Sequence, residues 1–215
     1  TAANRIGYPV LIKASAGGGG KGIRVAHSQG NFSNALDEAR NEATRSFNDS
    51  DVIVERYIQQ PRHIEVQIVG DAFGNIIDLG TRDCSVQRRY QKIVEEAPAS
   101  NLNPETELGL RETATQLAKN IGYDSIGTVE FIVDAANGEY FFLEMNTRLQ
   151  VEHPITEMVT GLDLVELQML SAIGKELEIR QDDITFAGHA IEFRLNAEDP
   201  SDNFSPRTGV IDHLS

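Results

Sequence analysis

Short apolar runs separated by glycine, Asn-Gly and proline turns recur along the chain, and each reads as a strand. The pattern predicts strands near residues 8–13, 23–26, 51–56, 63–69, 75–80, 127–133, 139–146 and 188–195. Longer amphipathic stretches near 32–47, 104–121 and 163–173 predict helices. Asn103 before Pro104 opens the second of these and Gly122 closes it, while Gly174 closes the third. Residues 83–103 show no clear period and carry much charge, so they are expected to form a loop-rich segment lining a site. No internal repeat or low-complexity tract is present. The Gln59-Gln60-Pro61 break divides the expected organisation into a smaller lobe, residues 1–60, and a larger one, residues 61–215.

Alternation matters most where it carries chemistry. Tyr140-Phe141-Phe142-Leu143 runs without a break into Glu144-Met145-Asn146-Thr147-Arg148-Leu149-Gln150-Val151-Glu152-His153-Pro154. If the chain stays extended, side chains alternate and Glu144, Asn146, Arg148, Gln150 and Glu152 share one face. Two carboxylates can hold a metal or a proton, Asn supplies a neutral oxygen, and Arg grips an oxyanion through paired hydrogen bonds. A merely solvated face would carry Lys, Ser and Thr instead.

Three more segments point the same way. His63, Glu65 and Gln67 share a face of His63-Ile64-Glu65-Val66-Gln67-Ile68. Glu130 interrupts the apolar run Gly127–Val133, and a buried carboxylate needs a cation or hydrogen-bond partner. The Asn137-Gly138 turn would bring it near Glu144, and two carboxylates with an Asn suit magnesium in phosphoryl-transfer sites. Glu192, Arg194 and Asn196 face opposite to Ile191, Phe193 and Leu195. Arg82, Arg88, Arg89 and Lys92 cluster in or beside the loop-rich segment, where a plain solvated charge run is the competing reading.

The run Val10-Leu11-Ile12-Lys13 leads into Gly17-Gly18-Gly19-Gly20-Lys21-Gly22, whose backbone N–H groups could approach phosphate oxygens. It is not a Walker A loop, since Ser15 and Gly22 replace the first glycine and the metal-binding hydroxyl. Nor does it fit a dinucleotide turn, because Ile23-Arg24-Val25-Ala26 reads as a strand where a helix is required. A flap joining two strands is the expected structure.

Composition narrows the partners. Of 215 residues, 33 are acidic and 19 are Lys or Arg, giving a net charge of −14 that disfavours nonspecific nucleic-acid binding. One cysteine, Cys84, rules out a disulfide framework and is expected to be small and buried rather than nucleophilic. No apolar run reaches membrane-spanning length and no signal peptide opens the chain, so a soluble protein of a reducing compartment is expected. The first residues stand one turn before a strand and the last form a strand-like run, so the chain reads as a piece of something longer.

Several stretches resemble the ATP-grasp region of biotin carboxylase, the ATP-using component of biotin-dependent carboxylases. They are Tyr8–Ser15 with its glycine loop, Arg62–Gln67, Arg82–Arg89, Gln91-Lys92, Glu95–Pro98, Glu144–Pro154 and His189–Pro200. Glu-x-Asn-x-Arg is shared with other ATP-grasp ligases, whereas Gln150–Pro154 is narrower and separates carboxylases from carbamoyl phosphate synthetase and peptide-type ligases. The resemblance implies an α+β ATP-grasp fold of two lobes with nucleotide between them, lacking the N-terminal lobe and the end of the C-terminal lobe. It implies that Lys13 and His63 contact ATP phosphates or ribose, that Gly17, Gly18, Gly19 and Gly20 cover the phosphates, and that Glu55 and the Tyr57-Ile58 backbone hold adenine. Gln87 joins the nucleotide set. Glu130, Glu144 and Asn146 would bind Mg2+ or Mn2+. Arg148, Gln150 and the Val151 backbone would hold bicarbonate, Glu152 would take its proton, Lys92 would act in catalysis, and Arg194 would steady the biotin enolate. Biotin would arrive on a carrier domain, and a carboxyltransferase component would choose the final acceptor. The resemblance further implies a homo-oligomeric parent in the cytoplasm, or in the mitochondrial matrix of a eukaryote. Tyr90 departs from the His or Asn that family members often carry. Another ATP-grasp carboxylate–amine ligase, and a nucleotide-binding fragment without turnover, are the rival readings.

Overall fold

The computed structural model describes residues 2–16, 22–210 and 213. Its contacts divide the chain into two units. The first contains the residues up to Pro61 with Arg89–Gln91 and Asp134–Asn137, and the second contains Arg62–Arg88, Lys92–Val133 and the residues from Gly138 onward.

In the first unit, α1 (Ala2–Ile6) precedes β1 (Val10–Ala14), which pairs antiparallel with both β2 (Ile23–Ala26) and β3 (Val52–Arg56). Alternation in β1 buries Val10, Ile12 and Ala14, and Val10 and Ile12 meet Ala39, Phe32 and Leu36 of α2 (Gln29–Phe47). The glycine run joins two antiparallel strands, as expected from the β-branched residues that follow it. Gly17, Gly18, Gly19, Gly20 and Lys21 themselves lie outside the described residues.

The second unit is built on a six-stranded sheet. Its order is β8 (Tyr140–Asn146), β7 (Ile126–Asp134), β4 (Pro61–Gly70), β5 (Ile76–Arg88), β6 (Gln91–Ala97), β9 (Ala190–Phe193). The β4/β5, β7/β8 and β6/β9 pairs are antiparallel, and helices pack on the sheet in the expected α+β manner. Leu110, Ala114 and Ala118 of α3 (Pro104–Asn120) cover Ile64, Val66, Ile68, Val129, Phe131 and Val133. The Asn103 side chain accepts a hydrogen bond from Glu105 N at 2.9 Å and caps α3, with Pro104 in its first turn, as the sequence predicts. Next come α4 (His153–Thr160) and α5 (Leu164–Ala172). Ile155 and Val159 of α4 pack on Ala97 and Ala190, and Leu164 of α5 packs on Val69, Ile77 and Leu79.

Two expectations fail here. Residues 83–103 are not loop-rich, because β5 extends to Arg88 and β6 spans Gln91–Ala97. Charges there find opposite charges, as Asp83 does in Arg62, Arg88 in Glu198 and Lys92 in Glu65, so charge there does not signal solvent. The segment after Leu143 does not stay extended to Glu152 either. The strand ends at Asn146, residues 147–152 turn, and Glu152 becomes the N-cap residue of α4. Pro154 in the first turn and Gly161 at φ 73° after the last residue are the signals that mark this helix.

Candidate functional site

Alternation along β4 sends Ile64 and Val66 into the α3 core and leaves His63, Glu65 and Gln67 on the opposite face. Lys92 of β6 reaches over that face. Its Nζ donates to Glu65 Oε2 at 2.6 Å, Glu130 Oε1 at 2.8 Å and Glu152 Oε1 at 2.6 Å. His63 Nε2 lies 2.8 Å from Glu130 Oε2. Gln87 Nε2 donates to His63 Nδ1 at 2.7 Å, which puts the ring proton on Nε2 and aims it at Glu130. The register sets Glu130 directly opposite Glu144, as the Asn137-Gly138 turn predicts. Asn146 Nδ2 bridges these carboxylates, 3.0 Å from Glu130 Oε1 and 3.5 Å from Glu144 Oε1.

The turn after Asn146 re-sorts the face that an extended chain would share. Gln150 and Glu152 are buried, while Glu144, Arg148 and Val151 are exposed. Gln150 Nε2 donates to Glu130 Oε1 at 3.1 Å. Arg148 turns back on its own segment, donating to Leu149 O at 3.3 Å and Asn146 Oδ1 at 3.4 Å. Glu152 instead meets Arg194, whose Nη2 donates to its Oε2 at 2.8 Å and whose Nε donates to Glu95 Oε1 at 2.6 Å. Glu152 is thus bonded to Arg194 and Lys92, and Arg148, which an extended chain would put on the same face as Glu152, bonds its own segment instead. Val151 and Arg148 stand at the solvent side of the turn.

Burial opposes every charge here, and the partners decide the outcome. Burial disfavours the Lys92 ammonium, but Glu65, Glu130 and Glu152 outweigh it and lift its pKa above the ordinary lysine value. Burial pushes Glu130 up, yet hydrogen bonds from His63 and Lys92 hold it well below the usual carboxylate range. Glu152 is likewise lowered by Lys92 against its burial. Glu95 goes the other way, because burial exceeds the compensation from Arg194, and one of its oxygens has no hydrogen-bond partner. Cys84 is buried, with its thiol pushed well up by burial and by Glu65, which fits an inert residue.

Glu130 and Glu144, opposite each other on paired strands, offer the hard carboxylate oxygens that a divalent cation takes, and ligand atoms of His63, Glu65 and Glu130 lie within 4.8 Å of one another. Asn146 turns its Nδ2 to both carboxylates and its Oδ1 to Arg148, so its oxygen would reach a cation only after the amide turns over. In the first unit, Lys13 Nζ pairs with Glu55 Oε1 at 2.9 Å across β1 and β3. Tyr57 N donates to Pro9 O at 3.2 Å, and the Tyr57 ring stands edge-on to His27 with centroids 6.4 Å apart. Ile58 follows in irregular chain beyond β3.

Alternation puts Glu65 and Gln67 on the right face, but the sequence assigns no role to them or to Arg82, Glu95, Thr128 and Thr156. Arg82 was read with the charge run; it is fully buried, and so is Thr156, on a helix that was not foreseen. Arg82 follows the alternating run 75–80, and that continuation of the strand was the available signal.

Paired carboxylates, an amide and convergent cations on one face of a six-stranded sheet form a donor set able to hold a divalent cation beside a small anion. The family model of the carbamoyl-phosphate synthase L chain ATP-binding domain matches residues 1–180, and the chain belongs to this family. It is 53% identical over 213 residues to the mitochondrial methylcrotonoyl-CoA carboxylase subunit alpha of Mus musculus, covering 99% of this chain and 30% of that protein. It is 52% identical over 209 residues to Biotin carboxylase 1 of Bacillus subtilis, covering 97% and 46%. The biotin carboxylase domain of Hydrogenobacter thermophilus 2-oxoglutarate carboxylase, solved with MgADP, ADP and bicarbonate, superposes with a TM-score of 0.85 at 51% identity over 95% of this chain and 45% of that one. The ATP-grasp fold is thereby shared, and the chain spans under half the length of these relatives.

Proposed function

We propose that this chain carries the catalytic face of a biotin carboxylase, which uses ATP to carboxylate biotin with bicarbonate. The observation that carries the reading is Lys92, whose single ammonium joins the metal-side carboxylate Glu130 to the buried base Glu152. The solved relative that holds MgADP and bicarbonate supports it.

In this reading Glu152 accepts the proton of bicarbonate, whose oxygen attacks the terminal phosphorus of ATP. ADP leaves, and carboxyphosphate forms. Its breakdown delivers carbon dioxide and phosphate beside biotin; the ureido nitrogen of biotin gives its proton to that phosphate and bonds the carbon of carbon dioxide. Lys92 neutralises the charge that gathers between Glu130 and Glu152. Bound Mg2+ or Mn2+, held by Glu130, Glu144 and Asn146, would supply charge neutralisation for the transferring phosphoryl group. Gln150, Arg148 and the Val151 backbone hold bicarbonate. His63 and Gln87 serve ATP, and the family resemblance assigns Lys13, Glu55, Tyr57, Ile58 and the glycines 17–20 to the same ligand. Arg194 serves biotin. It is also one of the two cations bonded to Glu152, so a substrate that draws Arg194 away raises the basicity of Glu152.

Among the described residues no helix is long and apolar enough to cross a membrane. We place the enzyme in the cytoplasm or, in a eukaryote, the mitochondrial matrix, as a homo-oligomer working with a biotin carrier domain and a carboxyltransferase. The test is bicarbonate-dependent ADP release by the full-length protein, with and without free biotin. Bicarbonate should be required, and biotin should stimulate turnover. ADP release indifferent to both would sink the proposal.

A further inference from the structure

Arg82 has no exposed side-chain surface, and each of its five N–H donors has a partner. Nε donates to Glu65 Oε1 at 2.5 Å. Nη1 donates to Gln67 Oε1 at 2.7 Å and Thr156 Oγ1 at 2.9 Å. Nη2 donates to Thr128 Oγ1 at 3.1 Å and Gln150 Oε1 at 3.4 Å. The five partners come from β4, β7, the turn before α4, and α4 itself. One side chain thus ties β4 and β7 to the turn before α4 and to α4 itself.

The polarity of these bonds matters more than their number. A guanidinium only donates, so it fixes which end of each amide faces it. Gln150 must present its oxygen to Arg82, which leaves its Nε2 for Glu130. Gln67 is fixed in the same way, with its Nε2 on Gly127 O at 2.9 Å. Glu65 gives one oxygen to Arg82 and the other to Lys92. Without Arg82 the Gln150 amide could rotate, and Glu65 would be a buried carboxylate with Lys92 alone. A Lys at this position offers three donors from one point and cannot span the same partners.

We infer that Arg82 is a positioning residue. It sets the orientation of the Gln150 amide and, through Glu65, the seat of Lys92, without touching substrate. The inference deepens the proposed function, since it concerns the end of the site assigned there to bicarbonate.

The test uses Arg82→Lys, which keeps the charge, and Thr156→Val, which removes one acceptor and leaves the Arg82–Glu65 pair intact. Two readouts are taken on the full-length protein. The first is amide hydrogen exchange across residues 147–153, which does not depend on the functional reading. Exchange there should rise in both variants, with β7 and α3 still protected. The second is the Michaelis constant for bicarbonate against that for ATP. Arg82→Lys should raise the bicarbonate constant about tenfold or more, the effect of losing one buried charge-assisted hydrogen bond, and leave that for ATP near the wild-type value. If Arg82→Lys does not fold, Thr156→Val decides, with a smaller shift in the same direction. A uniform loss of protection across the sheet, with both constants unchanged, would make Arg82 a plain structural ion and overturn the inference. Unchanged exchange at 147–153 in both variants would overturn it too. A wild type that shows no bicarbonate dependence defeats the functional reading instead, and exchange alone then decides the role of Arg82.

Discussion

Glu152 and Glu144 are both glutamates eight residues apart, yet one is buried between two cations and the other is exposed on a strand. That contrast sets different expectations for the same Glu→Gln change. Glu152→Gln removes the proposed base, and a general base contributes about 10²–10⁴-fold. Bicarbonate-dependent ADP release should fall by that order with ATP affinity nearly unchanged, and steady-state kinetics would show it. Glu144→Gln should cost about 10²-fold in metal-dependent turnover with no loss of melting temperature, because its carboxylate is exposed. Glu130→Gln should show the same kinetic loss and also a lower melting temperature, because Lys92 and His63 both rely on its charge. Wild-type turnover in either metal-side variant removes the assignment. Arg194→Ala should spare part of the ATP cleavage and damage biotin carboxylation more; strictly proportional losses of ADP release and carboxybiotin would show that the residue does not serve the biotin step.

Secondary-structure junctions decide which side chains meet. The β8 strand stops at Asn146, and α4 starts within a few residues, so Glu152 swings under Lys92 while Arg148 stays outside. Gly161 closes α4 at φ 73° with nothing near a would-be Cβ, so Gly161→Ala should cost only the left-handed strain, about 1 kcal/mol. Gly80 in β5 also has a positive φ of 81°, but a Cβ there would stand 2.6 Å from the Phe186 ring. Gly80→Ala should therefore destabilise more than Gly161→Ala. Urea unfolding midpoints of the two variants measure this, and equal shifts would show that the ring gives way without cost.

Across the whole chain, acid groups outnumber basic ones and the net charge is −14, yet the buried face of the second unit depends on carboxylates staying ionised. Glu130 and Glu152 have folded pKa values below those of an unfolded carboxylate, about 4.3. Their contribution to stability is fully present above that unfolded value and is lost as pH falls through the folded values. Wild type should thus lose melting temperature between about pH 4.3 and the strongly acid range. The gap between wild type and Glu130→Gln should be widest near neutrality and narrow as pH falls. A gap that stays constant on acidification would show that Glu130 contributes through shape and not through charge.

Much of this was written in the chain order. Alternation in β4 announced His63, Glu65 and Gln67 on one face, the Asn137-Gly138 turn announced the meeting of Glu130 with Glu144, and Asn103-Pro104 announced α3. These are local matters, fixed by the two-residue period of a strand, the φ preference of a turn and the missing N–H of proline. Tertiary structure alone decided that Arg82 is buried, that Lys92 joins three carboxylates from β4, β7 and the start of α4, and that Arg194 pairs with Glu152 across 42 positions of sequence. A charge in a sequence does not say whether water or an opposite charge surrounds it. Only the fold that brings distant strands to bonding distance supplies the partner, and without the partner the same residues read as a solvated run.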